Sequence, residues 1–477
     1  MAALPRVYIV GGGFAGIQAA RALRRAPVEV TLIDRRNHHL FQPLLYQVAT
    51  ASLSPADIAM PIRRILRGQQ NARVILAEVT SVDLNAKLLH FPGGAVEYDY
   101  LILAAGATHS YFGHDDWAAV APGLKTLEDA TTIRKRILLA FESAEYEGNI
   151  ERRTAALTFA IVGGGPTGVE LAGAIQEIAA KSIPKDFHYI DTTTTRVVLL
   201  QAGDRVLPSF PPALSARAQS DLEAMGVEVK LNSNVTNITR DGVYVGEEFL
   251  AVRNVFWAAG VKASPLGASL GVPLDKAGRV IANPDLSVPN HPNVFVCGDL
   301  AAVRSADTGK DVPGVAQGGM QMGLFAGKII ARETSGKSAP KDRPAFSYHD
   351  KGNMATIGKA RAVAQIGRLH MSGLPAWLAW GLIHVLFLVG FRNRAFVLLS
   401  WLGNWIINAR DARLITGEAR IDVQTPRPGE LILAEQGKAE KGQPANPVNH
   451  APNAPNAPDA PDAPLPPTEV LMGEPKT

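Results

Sequence analysis

The sequence predicts an α/β fold with two similar domains, each built around a parallel β-sheet. A short apolar strand, a glycine-rich turn and a helix follow one another at residues 6–25, and the same succession returns at residues 157–180. Each succession continues into a further strand, and such a unit forms a parallel strand pair. The 477 residues, of which 47% are hydrophobic and 19% charged, supply several domain cores and exclude a disordered chain.

The charge balance and the single cysteine exclude several classes of protein. The 48 basic and 44 acidic residues leave a net charge of +4, and no basic patch indicates nucleic-acid binding. Cys297 stands alone, which excludes an internal disulfide, a dithiol redox pair and a cysteine zinc site. We expect Cys297 in a core, and we predict no metal site. The apolar run from Val7 leads directly into glycines, which favours a first strand over a secretory signal. We therefore expect the protein to mature in the cytoplasm.

The first glycine-rich turn lies between a short apolar strand and an Ala- and Arg-rich helix. Gly11 permits the tight turn, Gly13 lets the backbone approach a pyrophosphate, and Gly16 lets helix and strand pack closely. The next strand ends at Asp34, an acid that can hold ribose hydroxyls. Because a helix N-terminus favours phosphate, this arrangement predicts a dinucleotide site of the Rossmann type.

The second glycine-rich turn repeats this arrangement except at one position. Gly163, Gly165 and Gly168 have the same spacing between a buried strand and a helix. The following strand ends in Gln201, where an acid is expected. An amide can bond a ribose hydroxyl without repelling the 2′-phosphate of NADPH, so relaxed discrimination against NADPH is one interpretation. The other is that Gln201 replaces the acid with no change of preference.

The remaining pattern completes both domains. We place a strand at residues 293–297 back in the first sheet, which makes the second domain an insertion in the first. The predicted elements are strands 6–10, 28–33, 100–104 and 293–297 in the first domain with a small meander at 74–77, 81–84 and 87–91, and strands 157–162, 196–200, 227–230 and 255–258 with helices 169–180 and 214–225 in the second.

Two dinucleotide folds in one chain are typical of hydride transfer from a nicotinamide to a flavin. The two glycine motifs, with residues 105–108 (AGAT) and 294–299 (VFVCGD), resemble the two-dinucleotide-binding-domain flavoproteins. This resemblance implies that FAD binds the first domain, with Thr108 and Asp299 at its site and Asp299 bonded to the ribityl chain. It implies that NADH or NADPH binds the second domain. Disulfide reductases and sulfide:quinone oxidoreductases are excluded because they need several cysteines.

A glutamine pair marks the candidate acceptor site. Gln317 and Gln321 lie at i and i+4 on one face of a helix, where two neutral amides suit a flat carbonyl acceptor such as a quinone. Taken alone, the pair is better explained as two exposed helix glutamines. Together with residues 41–46 (FQPLLY) and 350–355 (DKGNMA), they resemble type II NADH:quinone oxidoreductases over about residues 6–416. The resemblance implies that both glutamines line the quinone site beside the flavin.

Two more site residues are implied by the resemblance. Glu170 matches a family position between the two substrates that handles protons or charge, and burial there would raise the pKa of its carboxyl. The alternative is an acid that stabilises a helix N-terminus. Lys351 matches a family lysine near the flavin ring, where a cation stabilises the anionic reduced flavin. The alternative is an ordinary surface lysine.

An apolar region lies near the end of the chain. Residues 369–391 contain no Lys, Arg, Asp or Glu, and a shorter apolar stretch follows at 395–409. A membrane span, a buried dimer helix and two interfacial helices, as in the family, are the three alternatives, and we favour the last. The residues that fit a membrane interface are Trp377, Trp380, Trp401, Trp405, Arg392 and Arg394.

The sequence thus predicts a peripheral flavoenzyme on the cytoplasmic face of the inner (plasma) membrane. It would pass two electrons from NADH through FAD to a quinone without proton pumping, as a homodimer. The alternatives are a soluble NAD(P)H-dependent flavoprotein reductase for another acceptor and a non-catalytic NADH-sensing flavoprotein. The expected parts are an FAD domain at 1–115 and 285–345, an NADH domain at 116–284, a membrane-associated region at 346–422 and a disordered Pro- and Ala-rich tail at 423–477.

Overall fold

The computed structural model describes residues 3–407, 410 and 412–417. The predicted tail at 423–477 lies outside the described residues. The helices are α1 (Phe14–Ala22), α2 (Leu45–Ala49), α3 (Pro55–Ile58), α4 (Ile62–Leu66), α5 (Leu127–Tyr146), α6 (Ile150–Ala156), α7 (Pro166–Glu177), α8 (Pro212–Ala224), α9 (Ala316–Thr334), α10 (Gly373–Phe387) and α11 (Phe391–Ile407).

The strands are short, and most belong to two parallel sheets or to small antiparallel hairpins. They are β1 (Arg6–Val10), β2 (Glu29–Asp34), β3 (His38–Leu40), β4 (Ala59–Pro61), β5 (Ala72–Leu76), β6 (Ser81–Asp83), β7 (Leu88–Phe91), β8 (Gly94–Glu97), β9 (Tyr100–Leu103), β10 (Ala107–His109), β11 (Thr158–Val162), β12 (Arg196–Leu200), β13 (Val227–Lys230), β14 (Val235–Ile238), β15 (Gly242–Val245), β16 (Glu248–Ala251), β17 (Asn254–Trp257), β18 (Val261–Ala263), β19 (Val280–Ile281), β20 (Ser287–Val288), β21 (His291–Val296), β22 (Ala301–Ala302), β23 (Asn353–Gly358), β24 (Arg361–Ile366) and β25 (Leu369–Ser372).

The first sheet has the strand order β20-β21-β9-β1-β2-β5, and all its neighbours are parallel except β20 and β21. Strand β21, late in the chain, pairs with β9 in the register Val294↔Leu101. The prediction that residues 74–77 belong to a small meander is wrong. They lie in and beside β5, which pairs with β2 at the edge of this sheet, whereas the meander consists of β6, β7 and β8.

The second sheet has the order β13-β12-β11-β17 and is parallel throughout. Every residue of β11 is buried, as expected for the central strand of a sheet covered on both faces. Antiparallel strands β14, β15 and β16 form a separate three-stranded sheet. The α/β fold with two Rossmann-type sheets is therefore confirmed.

The C-terminal part begins with the antiparallel sheet β23-β24-β25 and continues into helices α10 and α11. The uncharged stretch 369–391 is not one helix, because it starts as β25 and turns at Gly373, whose φ is +68°. Helix α10 has 15 residues, which is about 22 Å of helix. Within the described residues, none of the helices has both the length and the apolar character that crossing a membrane requires.

Helices α10 and α11 belong to the same hydrophobic core as the second sheet. Trp380, Val385 and Val397 are buried in one cluster with Ile161 of β11 and Ile175 of α7. Helix α2 contributes to this cluster as well, through residues such as Leu45 and Val48 at its inner side. The C-terminal helices thus pack directly against elements that adjoin the two glycine-rich turns.

Candidate functional site

The first glycine-rich turn closes tightly at two of its three predicted positions. Gly11 has φ +106°, and a Cβ there would collide with the carbonyl oxygen of Ala104 at the end of β9. A Cβ at Gly16 would collide with the carbonyl oxygen of Gly11. At Gly13, by contrast, a Cβ would meet none of the described residues within 4 Å. The space beside Gly13, at the N-terminus of α1, therefore fits the pyrophosphate of FAD.

Asp34 lies at the end of β2, directly beside this turn. Its Oδ2 accepts a hydrogen bond from the backbone N–H of Gly12 at 2.6 Å, and its Oδ1 accepts one from Arg36 at 2.7 Å. These two bonds fix the plane of the carboxylate and leave lone pairs toward solvent. The carboxylate is thus positioned to accept hydrogen bonds from ribose hydroxyls.

The second turn has the same geometry. Gly163 has φ +112°, a Cβ at Gly168 would collide with the carbonyl oxygen of Gly163, and the space beside Gly165 is open to 4 Å among the described residues. Gln201 Oε1 accepts a hydrogen bond from Gly164 N–H at 2.7 Å, which is the equivalent of the Gly12–Asp34 bond. Gln201 therefore takes the structural place of the acid at this turn.

Two further predicted FAD residues, Asp299 and Thr108, belong to different parts of the fold. Asp299 follows β21, and Lys125 Nζ lies 3.4 Å from its Oδ2. Thr108 lies on β10, where it is paired with Lys262 of β18. Sequence analysis missed Lys125, because no strand end or motif singles it out. Its cation faces the acid that the resemblance assigns to the flavin side chain. Cys297, next to this acid, is buried as expected, and burial raises the pKa of its thiol.

Gln317 and Gln321 both bond the backbone of residues 349–352. Gln317 donates to the carbonyl of Gly352 at 3.0 Å and accepts from the N–H of Lys351 at 3.0 Å. Gln321 donates to the carbonyl of His349 and accepts from its N–H, both at 2.9 Å. Each amide thus already uses its oxygen and one N–H within the chain. The glutamines hold the turn that carries Lys351.

Lys351 reaches the end of helix α10. Its Nζ lies 5.4 Å from the centre of the Phe387 ring, a cation–π contact at the last residue of α10. The backbone of Lys351 is fixed by Gln317, as described above. Gln317 and Lys351 thus connect helix α9 to helix α10.

Glu170 lies in the first turn of α7, where it lines a cavity of about 120 Å³. Burial raises the pKa of the Glu170 carboxyl well above its ordinary value of 4.5, although a hydrogen bond from the backbone of Thr356 opposes this shift. Burial also raises the pKa of Tyr46, and the nearby Glu170 adds to that effect. The carboxyl of Glu170 therefore holds its proton to a higher pH than an exposed glutamate, and when protonated it can donate a hydrogen bond.

The cavity is also lined by residues that sequence analysis assigned elsewhere or missed. Trp380, predicted at a membrane interface, is only 2% exposed and lines the cavity together with Trp377 and Trp401. Trp401 Nε1 donates to Gln47 Oε1 at 2.7 Å. The missed residues include Tyr46 and Gln47, although Tyr46 lies in the segment FQPLLY that carries the resemblance.

Comparison with known proteins agrees with this geometry. The family of pyridine nucleotide-disulphide oxidoreductases matches residues 5–323. The chain is 46% identical over 454 residues to the type II NADH:quinone oxidoreductase NdhA of Mycobacterium tuberculosis, which covers 91% of this chain and 95% of the relative. It is 44% identical over 454 residues to Ndh of the same organism, also a type II NADH:quinone oxidoreductase, with 92% and 96% covered.

A solved structure shows the same fold. NDH2 from Plasmodium falciparum in complex with NADH superposes with a TM-score of 0.78, covering 87% of this chain and 100% of that one at 19% identity. The profile match covers both glycine-rich turns and the start of helix α9, and the two mycobacterial relatives align over more than nine tenths of the chain. The chain therefore belongs to the pyridine nucleotide-disulphide oxidoreductase family and, within it, to the type II NADH:quinone oxidoreductases.

Proposed function

We propose that this chain is an FAD-dependent NADH:quinone oxidoreductase that transfers two electrons without proton pumping. The observation that carries the proposal is the presence of two equivalent open glycine-rich turns in a chain 46% identical to a type II NADH:quinone oxidoreductase. The two turns supply separate sites for two dinucleotides, which hydride transfer from a nicotinamide to a flavin requires.

We assign FAD to the first turn and NADH to the second. Gly11, Gly13 and Gly16 would hold the FAD pyrophosphate, Asp34 its ribose, and Asp299 with Thr108 the flavin side. The corresponding NADH residues are Gly163, Gly165, Gly168 and Gln201. FAD, when bound, supplies the hydride acceptor and the two-electron donor of this reaction. The parts of the chain involved are 1–115 with 285–345 for FAD and 116–284 for NADH.

The remaining site residues hold charge and protons. Glu170, whose pKa is raised by burial, can give a proton to a reduced acceptor and regain one from water. Lys351, held by Gln317 and Phe387, places a cation where negative charge develops on reduction. Gln321 acts with Gln317 in fixing the turn that carries this lysine.

We further propose that residues 346–422 attach the chain to the cytoplasmic face of the membrane, where the quinone dissolves. One side of α10 exposes four leucines at a spacing of four residues, with 48–63% of each exposed, and α11 exposes further apolar side chains. An exposed apolar stripe of this size favours contact with lipid or with a second copy of the chain. We propose a homodimer with the stripe left to lipid. The leucines are Leu374, Leu378, Leu382 and Leu386.

The test separates the two half-reactions. The purified protein should be yellow, NADH should bleach the flavin absorbance under anaerobic conditions, and a soluble quinone analogue should restore it rapidly. A soluble reductase for another acceptor predicts bleaching with slow recovery by quinone. A sensing flavoprotein predicts a long-lived bleached or charge-transfer species with every acceptor. A colourless protein that gains no activity from added FAD would contradict the assignment altogether.

A further inference from the structure

We propose that Lys125 is a positioning residue of the FAD site, which holds the carboxylate of Asp299 toward the ribityl chain and balances its charge. The proposal rests on the proposed function, because that function assigns FAD to the first glycine-rich turn and Asp299 to the flavin side. Lys125 belongs to neither glycine motif. It acts on FAD through Asp299, to which it gives both an orientation and a compensating charge.

Lys125 and Asp299 form an ion pair that is largely shielded from water. The Nζ of Lys125 donates to Asp299 Oδ2 at 3.4 Å, and only 15% and 26% of the two side chains are exposed. Charges that are shielded in this way interact more strongly than charges at an open surface. Among the residues that the structure describes, Lys125 alone donates a hydrogen bond to this carboxylate. The lone pairs of Asp299 Oδ1 are therefore left for a hydroxyl group, and the ribityl chain of FAD carries such groups.

Asp299 lies beside the N-terminus of helix α1. Gly298 has φ +69°, and a Cβ at Gly298 would lie 3.6 Å from the Cβ of Ala15 in the first turn of that helix. The open space beside Gly13, which fits the pyrophosphate of FAD, is at the same helix end. Asp299 therefore shares this region with a strongly anionic part of the ligand. An unpaired carboxylate here would repel the pyrophosphate, and the cation of Lys125 offsets this repulsion.

The main chain of Lys125 is held on both sides by other side chains. Its N–H donates to Asp129 Oδ2 at 3.0 Å, and its carbonyl accepts from Gln42 Nε2 at 3.3 Å. Gln42 belongs to the segment 41–46, and Asp129 lies in the first turn of α5. The main chain and the ammonium group of Lys125 are thus both fixed. Lys125 therefore presents its charge at one place, which a flexible surface lysine does not.

Asp129 also connects Lys125 to strand β10. The Oδ2 that accepts from the N–H of Lys125 lies 3.0 Å from the Nε2 of His109, which donates to it as well. Burial raises the pKa of the Asp129 carboxyl, but the hydrogen bonds from His109 and Lys125 oppose burial and the pKa lies below its ordinary value. His109 directly follows Thr108, the other predicted flavin-side residue. A continuous set of contacts thus joins Thr108 to Asp299 through Lys125.

The ion pair has two consequences for a bound flavin. Reduction of the flavin adds negative charge, and a lone carboxylate beside the flavin side chain would oppose that charge. With Lys125 present, the pair is neutral as a whole and opposes reduction less. Bound FAD would also cover Asp299 and remove it from water, which is unfavourable for an unpaired carboxylate. We therefore expect the loss of Lys125 to weaken FAD binding and to lower the reduction potential of the flavin.

The test uses the full-length protein with bound FAD. Lys125→Met keeps an unbranched side chain and removes the charge. We expect the midpoint potential of the bound flavin, measured by redox titration with a reference dye, to fall by about 30 mV, which is tenfold for a two-electron couple. The Kd for FAD, measured by fluorescence on protein stripped of its flavin, should rise about tenfold.

Two further variants separate the charge of Lys125 from its bulk. Lys125→Arg keeps the cation and should bring both the midpoint potential and the Kd for FAD back toward wild type. Lys230→Met is the matched control, because it removes a lysine paired with Glu248 at 3.6 Å in the second sheet. This control should leave both values unchanged.

A double variant shows whether Lys125 acts through Asp299. In an Asp299→Asn background no carboxylate is left to balance, so adding Lys125→Met should change the Kd for FAD less than about twofold. An equal rise of about tenfold in both backgrounds, without recovery in Lys125→Arg, would mean that Lys125 only supports the fold, and the proposal is overturned. An unchanged midpoint potential in Lys125→Met overturns it as well, even where Asp299→Asn retains no flavin. If wild type itself binds no FAD, the proposed function fails instead.

Discussion

Asp34 and Gln201 occupy equivalent positions in the two sheets, yet they differ in charge. Each accepts a hydrogen bond from the second glycine of its turn, at 2.6 and 2.7 Å. A carboxylate at the end of such a strand repels a 2′-phosphate, whereas an amide does not. The two positions therefore have the same structural role, and we propose that their difference in charge affects which nucleotide is accepted.

Gln201→Glu should reduce the use of NADPH more than that of NADH. The bond to Gly164 can be kept, because a carboxylate oxygen also accepts, so the change adds charge without disturbing the turn. We expect the ratio of the two kcat/KM values to shift by about tenfold, which is about 1.4 kcal/mol. Steady-state assays with both nucleotides measure it. Gln219→Glu on helix α8 makes the same charge change elsewhere, and equal ratios in both variants would show that Gln201 does not discriminate.

Glu170→Gln should change how stability depends on pH. The pKa of Glu170 lies well above 4.5 in the folded protein and near 4.5 in the unfolded chain. Between these values the folded state retains a proton that the unfolded state has lost, so rising pH favours unfolding. The variant has no carboxyl that titrates here. Its free energy of unfolding should therefore increase relative to that of wild type by up to about 1.4 kcal/mol for each unit by which the pH rises.

Thermal unfolding of both proteins between about pH 5 and pH 8 checks this sign. Glutamine can still accept the N–H of Thr356, so the local structure is kept. Glu223→Gln, an exposed glutamate on α8, is the control and should follow wild type. Unfolding curves for Glu170→Gln that run parallel to wild type over this range would show that the carboxyl titrates normally.

Single residues were predictable where local geometry alone determines them. Gly11, Gly16 and Asp34 follow from steric and hydrogen-bonding demands within one strand–turn–helix unit, and such demands are visible in sequence. The partners of Gln317 were not, because residues 351 and 352 lie more than 30 positions away along the chain. The burial of Trp380 was equally hidden, since helical spacing does not reveal which side of α10 faces the core.

The roles of the two glycine-rich turns can be tested with a matched pair of variants. Gly13→Ala places a methyl group where the chain leaves 4 Å of open space, so the fold should tolerate it, while a bound pyrophosphate would be displaced. Gly165→Ala is its counterpart in the second turn. We expect Gly13→Ala to lose FAD, and Gly165→Ala to keep FAD with a KM for NADH raised about tenfold.

Flavin absorbance and anaerobic titration with NADH measure both effects, and each variant is the control of the other. Loss of FAD from both variants would mean that the second turn supports the first sheet, and retention by both would place the pyrophosphate elsewhere. Circular dichroism of the two proteins without FAD should match wild type stripped of its FAD.

Whole elements were predicted best where the apolar pattern is continuous. Strands β1, β11 and β12 lie where their buried runs indicate. Strand β5 was misplaced because it is a partly exposed edge strand, whose pairing with β2 depends on distant chain. The uncharged stretch 369–391 gave no sign of its break at Gly373. Arg394, predicted to meet anionic lipid, also donates to the carbonyls of Leu386 and Leu388 near the end of α10, which the sequence did not indicate.

For the whole molecule, the proposed attachment to the membrane depends on the leucine stripe of α10. Leu378→Glu with Leu382→Glu should abolish binding to vesicles that contain anionic lipid. Each leucine contributes about 1.5–3 kcal/mol when buried, so the pair should weaken binding at least a hundredfold, about 3 kcal/mol. Flotation with vesicles measures the bound fraction. Anaerobic bleaching by NADH should be unaffected.

The control places the same charges on apolar residues that are exposed elsewhere. Leu76→Glu with Phe249→Glu changes side chains that are 61% and 45% exposed on β5 and β16. This double variant should bind vesicles like wild type. The competing arrangement is that the leucine stripe contacts a second copy of the chain. Sedimentation of the α10 double variant without vesicles tests it, because dissociation of a dimer by this variant would identify the stripe as a subunit interface. The side chain of Arg392, also predicted at the membrane interface, lies outside the side chains that the structure describes.

The pairing of β21 with β9 also sets an order of events during synthesis. Strand β9 ends at Leu103, and its neighbour begins at His291, so the first sheet stays incomplete while 187 intervening residues leave the ribosome. At about 5–20 residues per second this takes about ten to forty seconds. The second sheet, whose strands lie between residues 158 and 257, can close during that interval. On our assignment of the two nucleotides, the sheet proposed to bind NADH can therefore form before the sheet proposed to bind FAD is complete.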